Sequence, residues 1–182
     1  MIYKDHLESE RLTTRFLTMA DAPSWVEYCS DPVATRFTAI PDKTPEEMVQ
    51  FLFEVTMKRY EEKRLGAQAL IIKDTGEFIG KCGLFLQELN GQPVIEIGYH
   101  LLRRFWGKGY AAEAAQLFRD YGFENNFADS ICSIIDPQNE LSHKVALRNG
   151  MKLVDMETEF RGNRYHLYRI TREEWELHTG RK

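Results

Sequence analysis

Val94-Ile95-Glu96-Ile97-Gly98-Tyr99-His100-Leu101, followed after Leu102 by Arg103-Arg104-Phe105-Trp106-Gly107-Lys108-Gly109-Tyr110-Ala111, is where the periodicity of this chain changes. The first run is rich in β-branched and aromatic residues and reads as a strand over 94–101. Beyond the two glycines the period lengthens. Ala111, Ala114, Ala115, Phe118 and Tyr121 recur at helical spacing up to Gly122. Ile131, Ile134 and Ile135 then mark a second strand over 129–135, closed by Asp136-Pro137. Strand, helix and strand form one β-α-β unit, whose strands must be parallel and whose crossover must be right-handed.

Outward from that unit the chain reads as short elements with little between them. Downstream, Asn139 caps a helix over 139–149, and Gly150 lies past its end. The stretches 152–160 and 164–171 pair across the turn Arg161-Gly162-Asn163, and Thr171 with Glu174 is a capping box for a last helix through Trp175. Upstream, 67–73, the alternating run Phe78 to Leu86 and the strand from Val94 make an antiparallel meander around Asp74-Thr75-Gly76 and Asn90-Gly91. Before it stand a strand over 11–17 and two helices. One is capped by Asp21, buries Trp25, Val26 and Cys29, and is broken by Asp31-Pro32. The other starts at Thr44-Pro45 with Glu47, carries Val49, Leu52, Phe53, Thr56 and Tyr60 on one face, and is stopped by Gly66. The predicted order is β-α-α-β-β-β-α-β-α-β-β, an α+β chain.

Composition narrows the function. The 182 residues suit one domain, taken as 1–182 with a core over about 8–176. Hydrophobic residues at 43% and charged residues at 29% are ordinary for a folded globular chain. A net charge of −4 argues against a partner held by phosphate neutralisation, so no nucleic acid is expected. No apolar run is long enough to span a membrane, and Met1 to His6 carries no apolar run of signal length. Cys29, Cys82 and Cys132 are far apart and odd in number, which predicts buried, reduced thiols with no zinc site. A cytoplasmic chain without a metal is the expectation, as a monomer or homodimer.

The loop Trp106-Gly107-Lys108-Gly109 carries the chemistry. Glycines in alternate positions between a strand and a helix allow a tight turn and a close approach to a ligand. The helix that follows offers free N–H groups and the positive end of its dipole, a cradle suited to a diphosphate. The loop is not a Walker A motif, because Tyr110-Ala111 follows Gly109 where Lys-Ser/Thr is required. It also lacks the third glycine of the dinucleotide fingerprint.

Glu96 to Leu101, then Arg104-Phe105-Trp106-Gly107-Lys108-Gly109 and Tyr110-Ala111-Ala112-Glu113-Ala114, resemble the GCN5-related N-acetyltransferase (GNAT) superfamily and its RimJ/RimL-like branch. Arg104, Gly107 and Gly109 meet the pattern Arg/Gln-x-x-Gly-x-Gly/Ala. Asn139-Glu140-Leu141-Ser142 and Arg148-Asn149-Gly150-Met151 resemble a second family segment, with Met151 where the family usually has Phe. The resemblance implies a mostly antiparallel twisted sheet with one splayed parallel strand pair and helices on both faces. It implies acetyl-CoA as co-substrate. Backbone amides of Trp106, Gly107, Lys108, Gly109, Tyr110 and Ala111 would hold its pyrophosphate. Tyr99 and Leu101 would contact the pantetheine arm through their backbones, Arg104 would add charge near the phosphates, and Asn139 would contact the arm.

Acetyl transfer needs a deprotonated amine and a stabilised leaving thiolate. An α-amine has a pKa of about 8 and a lysine about 10.4, so an α-amine asks less of its base. Glu96 is the candidate base, a charge set in an apolar strand and facing opposite to Ile95 and Ile97. His100, on the same face, is the next candidate, because an ordinary imidazole pKa near 6.5 suits that work. Many superfamily members carry a thiolate-protonating tyrosine at the position that Ala146 holds here. Ser142, three residues after Asn139, is the alternative partner for the sulfur. The acceptor amine is a protein N-terminus or a small molecule such as a polyamine, aminoglycoside or amino acid. A non-catalytic acyl-CoA sensor is the competing class. Tyr28, Phe37, Phe51 and Phe53 either line the acceptor side or are core.

Overall fold

The computed structural model describes residues 4–38 and 43–181. Among them, seven strands form one sheet in the order β1-β2-β3-β4-β5-β7-β6. The strands are β1 (Leu12–Arg15), β2 (Ala67–Ile72), β3 (Phe78–Leu89), β4 (Gln92–Leu101), β5 (Ser130–Ile135), β6 (Lys152–Phe160) and β7 (Asn163–Thr171). All neighbours run antiparallel except β4 and β5. The helices are α1 (Ala22–Cys29), α2 (Pro32–Thr35), α3 (Pro45–Glu61), α4 (Tyr110–Glu124), α5 (Glu140–Arg148) and α6 (Arg172–Thr179). The mixed class, the mostly antiparallel sheet and its single parallel pair are as the sequence leads one to expect.

Strand alternation assigns the two faces. Lys81, Phe85 and His100 point toward α1 and α3: the Lys81 ammonium lies 5.1 Å from the Trp25 ring centre, Arg59 caps Phe85 at 5.6 Å, and His100 meets Tyr28 edge-on at 5.6 Å. Leu84, Ile97, Ile131 and Ile170 point the other way and are buried with Phe118, Phe123 and Trp175 beneath α4 and α6. Tyr28 and Phe53 are core residues, whereas Phe51 on α3 is exposed.

Several local expectations need correcting. Gly66 does not stop α3. The helix ends at Glu61, and Lys63 takes the left-handed backbone, φ 53°, that closes it. Asp21 sits at the N-cap of α1 but makes no capping hydrogen bond. Its carboxylate instead accepts from the Thr18 amide at 2.9 Å and from Arg15 at 2.5 and 2.7 Å, because a neighbouring guanidinium outcompetes a neutral amide. Asp31-Pro32 ends α1 and also starts α2, since Asp31 Oδ1 accepts from the Val33 amide at 2.9 Å. By contrast the capping boxes at Thr44 and Thr171 form as read.

Candidate active site

The sheet opens at its centre. β4 and β5 pair in parallel at Ile95–Ile131 and Glu96–Cys132 and no further. The cause is divided loyalty: β4 stays in register with β3 out to Leu101, while β5 stays with β7 out to Ile135. One side-chain bond spans the start of the gap, from the Ser133 hydroxyl to the Ile97 carbonyl at 3.4 Å. Residues 98–101 of β4 therefore border a cleft instead of a neighbouring strand.

At the end of β4 lies the glycine loop. Gly107 and Gly109 have φ of 75° and 86°, a region that L side chains rarely adopt. Gly109 is the N-cap of α4, and no side chain caps that terminus, whereas Thr44, Asn139 and Thr171 cap α3, α5 and α6. A Cβ on Gly107 would meet nothing within 4 Å, so its absence leaves the cradle open. Flanking side chains face elsewhere. The Trp106 indole donates to the Leu101 carbonyl at 2.9 Å, so that carbonyl, expected at the cofactor arm, already has a partner. Arg104, expected near the phosphates, ion-pairs with Glu27 of α1 and stacks on Phe105 at 4.8 Å. Lys108 also turns to Phe105, at 5.2 Å. Tyr110 and Ala111 form the first turn of α4.

Glu96 stands where β4 and β5 part. Gln87 of β3 donates its amide to Glu96 Oε2 at 2.8 Å, and Arg161, from the β6–β7 turn, donates to Gln87 Oε1 at 3.3 Å. Burial raises the Glu96 pKa above the ordinary carboxylate range, with Gln87, Arg161 and the Ile134 amide opposing in part. Its parallel neighbour Cys132 is a buried free thiol, pushed up to about 12 by burial and by Glu96. Two acidic groups thus share a dry position, and the Glu96 carboxylate favours the neutral form of the Cys132 thiol.

Across the cleft, Asn139 caps α5 by accepting from the Ser142 amide at 3.2 Å. Tyr99 reaches over from β4 and donates its hydroxyl to the Ser142 carbonyl at 3.3 Å. Burial raises the Tyr99 pKa, so the phenol keeps its proton. Ala146 is buried one turn further on. The structure thus brings Tyr99, Asn139 and Ser142 together at one side of the cleft and Glu96 at its vertex. His100 is a different matter. Enclosure, with help from Lys81, pushes its pKa down to about 3, which overturns the expectation of an ordinary imidazole. Lys81, its cross-strand partner, is itself lowered to about 8 by burial.

The family described as the acetyltransferase (GNAT) domain matches residues 11–152. This chain belongs to the GNAT acetyltransferase family. YkkB of Bacillus subtilis (strain 168) is 40% identical over 125 residues, 67% of this chain and 70% of that protein. The N-acetyltransferase p20 of Bacillus licheniformis is 35% identical over 144 residues, 76% of this chain and 78% of the relative. An acetyltransferase structure from Agrobacterium tumefaciens str. C58 matches with TM-score 0.77 and 30% identity, covering 93% of this chain and 96% of that one. RimL, a ribosomal L7/L12 α-N-protein acetyltransferase solved with coenzyme A, shares the fold at TM-score 0.72 and 16% identity, over 92% of this chain and 98% of its own.

As a GNAT acetyltransferase the chain has a cleft whose residues fit a coenzyme A donor. The uncapped α4 terminus suits a diphosphate, and the unpaired edge of β4 suits the amide-bearing arm. Sequence reasoning missed the shell behind these parts. Gln87 reaches Glu96 from β3, Arg161 backs Gln87 from the β6–β7 turn, the Tyr99 hydroxyl reaches α5, and Arg11 reaches the glycine loop. The Gln87 contact depends on the β3–β4 hairpin register and the others join residues far apart in the chain, so no short sequence pattern marks them. Among the described residues no group of three or more His, Cys, Asp or Glu could hold a metal ion, and no helix is long and apolar enough to cross a membrane.

Proposed function

We propose that this acetyltransferase takes its acetyl group from acetyl-CoA and passes it to a primary amine by direct attack in a ternary complex, with a protein N-terminal α-amine as the preferred acceptor. Bound acetyl-CoA supplies an activated thioester. The amides from Trp106 to Ala111 hold the diphosphate, and the free edge of β4 near Tyr99 and the side chain of Asn139 hold the arm. Residues 8–176 act as one catalytic domain, working in the cytoplasm.

The carrying observation is Glu96: a carboxylate with a raised pKa, held by Gln87 at the vertex of the cleft. It takes the amine proton. A base whose pKa moves toward the working pH is better matched to that transfer. An α-amine, with a pKa of about 8, is already about a tenth neutral at pH 7, whereas lysine at about 10.4 is almost wholly charged. A single carboxylate therefore meets the needs of the first acceptor more readily than those of the second. Ser142 stabilises the departing sulfur in place of the tyrosine that Ala146 replaces, and the Tyr99 phenol, still protonated, reaches the same turn from β4.

The test is thiol release from acetyl-CoA with a panel of amines. The panel holds a peptide with a free N-terminus, the same peptide blocked but bearing lysine, a polyamine, an aminoglycoside and free amino acids. Turnover confined to the free N-terminus supports the reading. Turnover confined to a small amine moves the acceptor class, and coenzyme A binding without turnover on any amine makes the domain an acyl-CoA sensor.

A further inference from the structure

Arg11, the residue before β1, lies against the glycine loop although it is 97 positions from Lys108 in the chain. Its Nη1 donates to the Lys108 carbonyl at 3.0 Å, and its Nε donates to Glu113 Oε2 at 2.7 Å. Its guanidinium covers the Tyr110 ring at 4.5 Å. The other oxygen of Glu113 accepts from the Arg11 amide and the Ser9 hydroxyl, both at 2.7 Å. Burial alone would raise the Glu113 pKa, yet these donors hold it below the ordinary range. The first turn of α4 is thus stapled to the leading edge of β1 by a carboxylate with both oxygens engaged.

The Lys108–Gly109 peptide is trans, so its C=O and N–H point in opposite directions. Fixing the carbonyl on Arg11 fixes the Gly109 N–H on the side away from Arg11. We propose that Arg11 is a positioning residue that presets the Lys108–Gly109 peptide, so that the Gly109 N–H faces the donor's diphosphate before the donor arrives. This rests on the loop being the diphosphate site, as in the proposed function. The role assigned to Arg11 rests on its Nη1–Lys108 bond, with Nε held on Glu113, and not on a contact with the donor. Lysine carries its donors on one nitrogen at the end of a flexible stem and lacks the planar fork that holds both acceptors in fixed geometry, so it is a poor substitute.

Two variants separate this brace from a plain charge effect. Arg11→Lys keeps the charge and loses the fork. The double variant Arg11→Ala with Glu113→Gln removes both charges together and leaves the net charge unchanged. Coenzyme A affinity is measured by calorimetry. KM and kcat are measured with acetyl-CoA and with S-acetylpantetheine, which has the thioester and arm but no diphosphate. The expected result, for both variants, is roughly a tenfold weaker coenzyme A affinity and a matching rise in the acetyl-CoA KM, the scale of one hydrogen bond to a charged group. The kcat and the S-acetylpantetheine KM stay at wild-type values. Wild-type coenzyme A affinity in either variant would overturn the brace, and so would an equal KM rise for both donors, which marks a general loss of fold. If the wild-type protein binds coenzyme A no more tightly than pantetheine, the diphosphate reading itself falls and the role of Arg11 goes with it.

Discussion

Glu96 sits in a strand whose neighbours are apolar, and its raised pKa has consequences for both rate and stability. Glu96→Gln keeps size and the Gln87 contact, so donor affinity is expected to hold while turnover near pH 7 falls by roughly 10²–10⁴. The loss shrinks as pH rises and the amine deprotonates unaided. A variant with wild-type kcat at pH 7 would assign the base to another group. The stability sign is opposite to intuition. A carboxyl whose folded pKa is raised favours the fold when protonated and loses that contribution as pH rises through the folded value. Glu96→Gln should therefore melt at or above the wild-type midpoint at pH 7, which calorimetry reads directly. His100 works the other way. Its pKa of about 3 lies below the ordinary 6.5, so the neutral ring contributes stability above pH 6.5 that is lost as pH falls from there toward 3. A His100→Gln variant should have a flatter melting profile between pH 6.5 and 4, and equal slopes would contradict the assignment. Glu96 was legible in the sequence because a charge among isoleucines is anomalous. The state of His100 was not, since its depression comes from Tyr28 and Lys81 packed around it, and neither is near it in the chain.

Among the elements, the contrast between α4 and the other long helices separates stability from binding. Thr171→Ala removes a cap of the usual kind and should cost about 1 kcal/mol of stability. It should leave coenzyme A affinity alone. Gly109→Val should do the reverse in emphasis. A β-branched residue resists φ 86°, and its Cβ would come within 3.3 Å of Arg11 Nη2, so the loop must shift. Loss of coenzyme A binding with the fold kept, by calorimetry and circular dichroism, is the expected outcome. Intact binding would place the diphosphate elsewhere. Element order was readable because hairpin turns such as Asn90-Gly91, both at positive φ, and the capping boxes act within a few residues. Where the reading failed, Arg15 drew the Asp21 carboxylate away from capping, and α3 ended before Gly66, closed by the left-handed Lys63.

For the molecule as a whole, a ligand that binds only the folded state must raise its stability. At about 100 times its dissociation constant, coenzyme A should add about 2.7 kcal/mol, which for a chain of this size moves the midpoint by about 5–10 °C. A flat melting curve at millimolar coenzyme A would remove the donor assignment. How that stabilisation is distributed follows from the sheet. Only two residue pairs join the β1–β4 leaf to the β5–β7–β6 leaf along their common border. The two leaves meet as a book held by a short spine, and a donor arm lying between them, as proposed, would take the place of the rungs they do not share. Backbone amides beside the opening should then exchange with deuterium much more slowly once coenzyme A is bound, while those on the outer edge strands β1 and β6 change little. On the proposed reading a bound donor would complete the sheet as a temporary strand, and its departure after transfer would reopen the line between β4 and β5.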